Sequence, residues 1–156
     1  MALPNDLIAT ARQLVQLHEK RPRQADLRRA LSTAYYSLFH GLAETAADRM
    51  IGTTPQARRS VAWNRVYRAL GHNEAKKACA RSCNTTNSEN LMIFTTTFPD
   101  LQDLRHQADY DPNVRFNHSF VVARVDEAEQ ALTALQCLSK AEQLDFITLA
   151  LGMTRS

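Results

Sequence analysis

The stretch Asp26 to Met50, DLRRALSTAYYSLFHGLAETAADRM, constrains the fold more than any other. It contains no proline and a single glycine, Gly41. Leu27, Leu31, Ala34/Tyr35, Leu38, Leu42, Ala46 and Met50 recur at three- and four-residue spacing, the period of one helix face. Tyr36, Phe39, Ala43 and Ala47 add a second apolar stripe. A helix that is apolar over so much of its circumference belongs inside a bundle. At 1.5 Å per residue it reaches roughly 37 Å, the length of a small domain.

The flanking sequence supplies partners for such a helix. A first helix is expected over about Pro4–Lys20, with Leu7, Ala11, Leu14 and Leu17/His18 inward, ended by Arg21-Pro22-Arg23. The central helix stops near Ile51-Gly52. A third runs from Thr54-Pro55 to Gly71 with a short continuation over Asn73–Ala80, and the polar run Ser82–Asn90 reads as a loop. Leu91–Phe98 carries strand-forming residues but has no second strand to pair with, so it reads as an extended segment or a helical turn. Helices are expected over Asp100–Tyr110, stopped by Pro112, over Ser119–Leu138 and over Ala141–Leu151. The expectation is one domain over residues 1–156: an all-α, up-and-down bundle of five to six helices, its core about residues 4–138 and a C-terminal helix about 141–151.

With 4 Gly and 5 Pro in 156 residues the composition agrees with helix. No apolar run approaches the length of a membrane span, and MALPNDLIAT lacks a signal-peptide pattern, so a cytoplasmic location with no membrane contact is expected. The three cysteines Cys79, Cys83 and Cys137 form no CxxC pair, and His72 with Cys79 and Cys83 matches no zinc spacing, so neither a metal nor another cofactor is expected. The net charge of +3 is unevenly spread: residues 1–83 hold 14 Lys/Arg against 6 Asp/Glu, whereas residues 84–156 hold 5 against 10. Arg58, Arg59, Arg65, Arg68, Lys76, Lys77 and Arg81 are accompanied by one acid, Glu74. Such a cluster can attract phosphate, or can pair with the acidic half of the chain or with a partner subunit.

There is no glycine-rich phosphate loop, GxSxG, HExxH or ExxH pair. The polar groups left on apolar helices are Tyr35, Tyr36 and His40 in the central helix and Arg105, His106, Asp109 and Tyr110 before Pro112. Tyr36 and His40 are four apart, as are Arg105 and Asp109, so each pair shares a helix face. Singly, these residues are also what a surface ion pair, a helix-end tyrosine or a satisfied core histidine would look like.

Together, ALSTAYYSLFHGL (Ala30–Leu42) and LRHQADYDP (Leu104–Pro112) resemble the HEPN superfamily, in particular a bacterial branch with an AYYxLFH helix and an R-x-x-A-D-Y signature. Ala34, Tyr35, Tyr36, Phe39 and His40 match the first motif; Arg105, Ala108, Asp109 and Tyr110 match the second. The resemblance implies a homodimeric helical bundle directed at RNA or nucleotides. Many such proteins are metal-independent endoribonucleases in toxin–antitoxin or phage-defence settings, with a cognate nucleotidyltransferase or antitoxin as partner. In that chemistry an arginine holds phosphate charge while a histidine moves protons. The family's Arg-x4-6-His pattern is not intact here: five residues after Arg105 stands Tyr110, Arg65 and His72 lie on another helix, and Arg115 and His118 are too close. The resemblance therefore implies Arg105 as phosphate ligand, His106 as acid/base, Asp109 as the group orienting them and Tyr110 as a hydroxyl or stacking surface, with Tyr36, His40 and His118 as binding residues. Cleavage and quiet binding both stay open. The alternative is a non-enzymatic dimerisation or protein-interaction module in which Arg105, Asp109 and Tyr110 form a structural cluster.

Overall fold

A computed structural model describes residues 3–154, so the two outermost positions at each end of the expected 1–156 domain lie outside the described residues. The described chain is entirely helical: α1 Leu3–Gln16, α2 Gln24–Met50, α3 Pro55–Arg58, α4 Val61–Ala69, α5 His72–Cys83, α6 Glu89–Tyr110, α7 His118–Gln136 and α8 Lys140–Ala150. Four of these make an up-and-down bundle. Ser37 of α2 donates to the Pro4 carbonyl of α1, Ser32 of α2 meets Asp109 of α6, and Arg12 of α1 pairs with Asp126 and Glu129 of α7. The excursion α3–α5 leaves α2 and returns to α6, and α8 closes over α2 and α5.

The central helix does what its composition demands. Leu27, Leu31, Ala34, Tyr35, Leu38, Leu42, Ala43, Ala46 and Ala47 are all essentially sealed from water. At Gly41 α7 comes close, since a Cβ there would stand 2.6 Å from Leu132 Cδ1. Capping sets the other boundaries. Ser88, Asn117 and Ser139 each accept from a backbone N–H of the first turn they precede, and Ser139 with Glu142 forms a full capping box.

Several expected boundaries move, giving eight helices where five to six were expected. Helix α1 ends at Gln16, short of Lys20, because His18 adopts φ +52° and turns the chain. Its buried stripe is Pro4, Ile8, Ala11 and Val15: Ala11 is inward as expected, Ile8 and Val15 take the places expected of Leu7 and Leu14, and Leu17 is 48% exposed. The expected helix Thr54–Gly71 is two helices. Ser60 accepts from Trp63 N at 3.1 Å and so starts a new helix. Residues 73–80 belong to a full helix, α5, beginning at His72.

The largest change is α6. Leu91–Phe98 is helical and continuous with 100–110, running through Pro99. Phe94, Phe98 and Leu101 recur at helical spacing and are buried, and the Phe98 ring lies 5.3 Å from that of Tyr35. That burial outweighs the β-branched Thr95-Thr96-Thr97 run and the hydrogen bond that Pro99 cannot donate.

Candidate nucleic-acid groove

Near its N-terminus, α2 presents Arg28, Arg29, Ser32 and Tyr36, spaced so that they share one face. The last turns of α6 lie across them. Between the two helices runs a groove of about 430 Å³ lined by Arg29, Ser32, Tyr36, Asp109 and Tyr110 among others. A second hollow of about 510 Å³ shares Arg28, Asp109 and Tyr110 with it and extends the groove past Pro112 to Arg115.

Arg28 forms the wall between the hollows. Its guanidinium donates to the carbonyls of Ala108 and Asp111, at 2.9 and 2.8 Å, and to that of Val114. These are the end of α6 and the loop that follows, where carbonyls lack partners within the helix. Beside it, Gln24 holds Phe116 through its backbone N–H and C=O. Arg29 and Arg115 are exposed and make no side-chain hydrogen bond or ion pair among the described residues. Tyr110 is 68% exposed.

Behind the groove floor sits Arg105. Its Cζ lies 5.4 Å from the Tyr35 ring centroid and 5.7 Å from that of Tyr36, and Nη1 reaches Asp109 Oδ2 at 3.5 Å. Only 13% of this side chain is exposed, and its Nε is buried without a hydrogen-bond acceptor. The guanidinium is held by two aromatic faces and one carboxylate.

A polar chain continues inward. Tyr35 Oη lies 2.5 Å from His72 Nδ1. Burial pushes the Tyr35 phenol well above its ordinary value, so it stays protonated and donates to Nδ1, the one partner found for it. His72 stacks on Phe39 with ring centroids 4.2 Å apart. Burial, and secondly the charge of Arg105, lower its pKa, which keeps it neutral at pH 7. One turn along α2 from Tyr36, His40 bonds Tyr67 Oη through Nδ1. Burial lowers the His40 pKa, and burial followed by Glu44 pushes the Tyr67 phenol up to about 12.

Of the residues singled out in the sequence, Arg105, Asp109, Tyr110 and Tyr36 are brought together. His40 is next to them, its ring centroid 6.2 Å from that of Tyr36, but engaged with Tyr67. His106 is exposed, packs its ring 5.0 Å from Tyr110's and does not line the groove. His118 is drawn to α1, where Nε2 lies 2.9 Å from the Val15 carbonyl. Sequence reasoning missed Arg28 and Arg29, although both precede Ser32 and Tyr36 on the same helical face. It also missed His72, which no local pattern ties to Tyr35.

Among the described residues no three His, Cys, Asp or Glu side chains stand where they could hold a metal ion. Cys79, Cys83 and Cys137 are free thiols, and burial pushes that of Cys79 up to about 12. No described helix is long and apolar enough to cross a membrane. The fold and groove define an all-α bundle with a cationic, tyrosine-bearing cleft between its central helix and α6. No family model matches the chain, and no curated protein or solved structure matches it.

Proposed function

We propose that the chain is a HEPN-like protein directed at RNA or nucleotides, which it binds in the α2–α6 groove. The observation that carries this reading is the placement of unpaired Arg29 and Arg115 on either side of a largely exposed Tyr110. Guanidinium groups neutralise phosphate and an exposed phenol offers a base a stacking surface. Arg105 then acts as an organiser. It is too enclosed to lie against a phosphate in this conformation, but it fixes Tyr36 and Asp109 in the groove wall.

Binding is better supported than cleavage, because proton transfer to and from the ribose and leaving oxygens is served best by a group that titrates near neutral pH, most often a histidine. The groove lining includes no histidine. A ribonuclease, a homodimer and a toxin–antitoxin or phage-defence setting remain part of the proposal that rests on the motif resemblance. The decisive experiment pairs a salt titration of RNA binding with incubation of total RNA in the presence of chelator. Binding that weakens as salt rises, and is weaker in Arg29→Gln than in wild type, supports the groove. RNA ends carrying 2′,3′-cyclic phosphate would add catalysis, and RNA left both unbound and intact would remove the reading.

One observation favours the alternative, a helical interaction module. Arg105 is lodged against Tyr35, Tyr36 and Asp109 as a structural ion would be. In that case Arg105→Ala lowers stability or dimerisation and no RNA phenotype exists to lose.

A further inference from the structure

The basic run after Gly52 divides into two populations. Arg58 is paired with Asp48 at 2.7 Å, Lys76 with Asp103 at 2.7 Å and Lys77 with Glu74 at 3.5 Å. Arg59, Arg65 and Arg68, and apart from them Arg81 on α5, are exposed and make no hydrogen bond through their side chains, and no ion pair, among the described residues. Arg65 follows the 69%-exposed Val61 by four residues and precedes Arg68 by three, so these form one outward row on α4, and Arg59 stands just before it at the junction of α3 and α4. No acid occurs between Asp48 and Glu74.

The acidic half of the chain does not cover this row. Helix α4 packs chiefly on α2, through Trp63 and Tyr67. The acids of α7 are occupied elsewhere: Asp126 and Glu129 by Arg12, and Glu127 by Arg124. Three guanidinium groups therefore face solvent with their charge uncompensated. Tyr67, the neighbour of Arg68, bonds His40, and His40 is one helical turn, about 6 Å, beyond Tyr36 in the groove wall.

We infer that the outer face of α3–α4, through Arg59, Arg65 and Arg68, is a second contact for the phosphodiester backbone of single-stranded RNA whose other end lies in the α2–α6 groove. This rests on the proposed groove and sharpens it, because the ligand becomes a polynucleotide and not a free nucleotide. Asp48, on which Trp63 of α4 is anchored, lies nineteen positions along α2 from Arg29, about 28 Å at 1.5 Å per residue and beyond the span of a mononucleotide. Guanidinium favours this occupant, since its fork matches phosphate oxygens and its plane stacks on bases.

The test compares wild type with Arg59→Gln/Arg65→Gln/Arg68→Gln, all surface changes, by fluorescence anisotropy on oligouridylates from a dinucleotide to a dodecamer. Wild-type affinity should climb with length. The triple variant should bind the dodecamer roughly tenfold or more weakly at low salt, with a log–log salt slope lower by about 2, and bind the dinucleotide as wild type does. A dinucleotide bound equally by both proteins, with no gain from length or none that the variant loses, overturns this inference and leaves the groove standing. No binding of any oligonucleotide removes both. Polyglutamate bound as tightly as the dodecamer overturns it in favour of an acidic protein surface.

Discussion

Arg105 has its charge against two phenol faces and its carboxylate partner only loosely engaged, so replacing it tests packing as much as charge. Arg105→Ala should cost about 2 kcal/mol in urea unfolding, from a desolvated cation–π contact and the exposed remainder of the Asp109 pair. Arg105→Lys should recover only part, because a lysine cannot lie flat on both rings. The two half-buried histidines set a pH dependence. His40 and His72 are both held below their ordinary pKa by burial, so the unfolded chain protonates first as pH drops. Their contribution is complete above about pH 6.5 and is lost as pH falls through the lowered folded-state values. Denaturation midpoints should fall from pH 7.5 to 5.5, and His72→Gln should flatten that slope. The pairs Tyr36–His40 and Arg105–Asp109 were legible because a spacing of four places each on one helix face, whereas the meeting of Tyr36 with Asp109 and Tyr110 depends on how α2 and α6 dock. Nor was His72 legible, because its link to Tyr35 crosses 37 positions and depends on how α5 docks.

At the level of single elements, α2 and α7 pack tightly at Gly41. The methyl group of Gly41→Ala would enter space held by Leu132, itself fully packed. Alanine also favours helix by about 1 kcal/mol, against a packing penalty of about 1–3 kcal/mol, so a net loss near 1 kcal/mol is expected in thermal unfolding. The close approach is written in the sequence as a lone glycine in an alanine-rich helix. The break at Ser60 and the continuity of α6 were harder to read. Ser60 looks like an ordinary helix residue until its hydroxyl is seen capping Trp63. In α6 the local preferences of Thr95-Thr96-Thr97 and Pro99 oppose helix, and only the buried phenylalanines, facing Tyr35 and Phe146, decide otherwise.

Across the whole molecule, the all-α architecture followed from one long apolar helix needing cover on every side. Charge was less readable, since a count of basic residues does not say which are already paired. Arg12, Arg58, Lys76 and Arg124 are among those that meet carboxylates within the chain, whereas Arg29 and Arg115 at the groove and the α4 row are among those that face water. Arg28 has a different consequence. A helix end carries a partial negative charge, and α6 finishes at the mouth of the groove, where an incoming anion would otherwise meet repulsion. By spreading its fork over the carbonyls of Ala108, Asp111 and Val114, Arg28 makes that doorway hospitable to anions while fastening it to the central helix. Arg28→Met should therefore speed hydrogen exchange across residues 111–117 and weaken oligonucleotide binding more than Arg29→Gln does. It exposes a hostile dipole as well as deleting a cation.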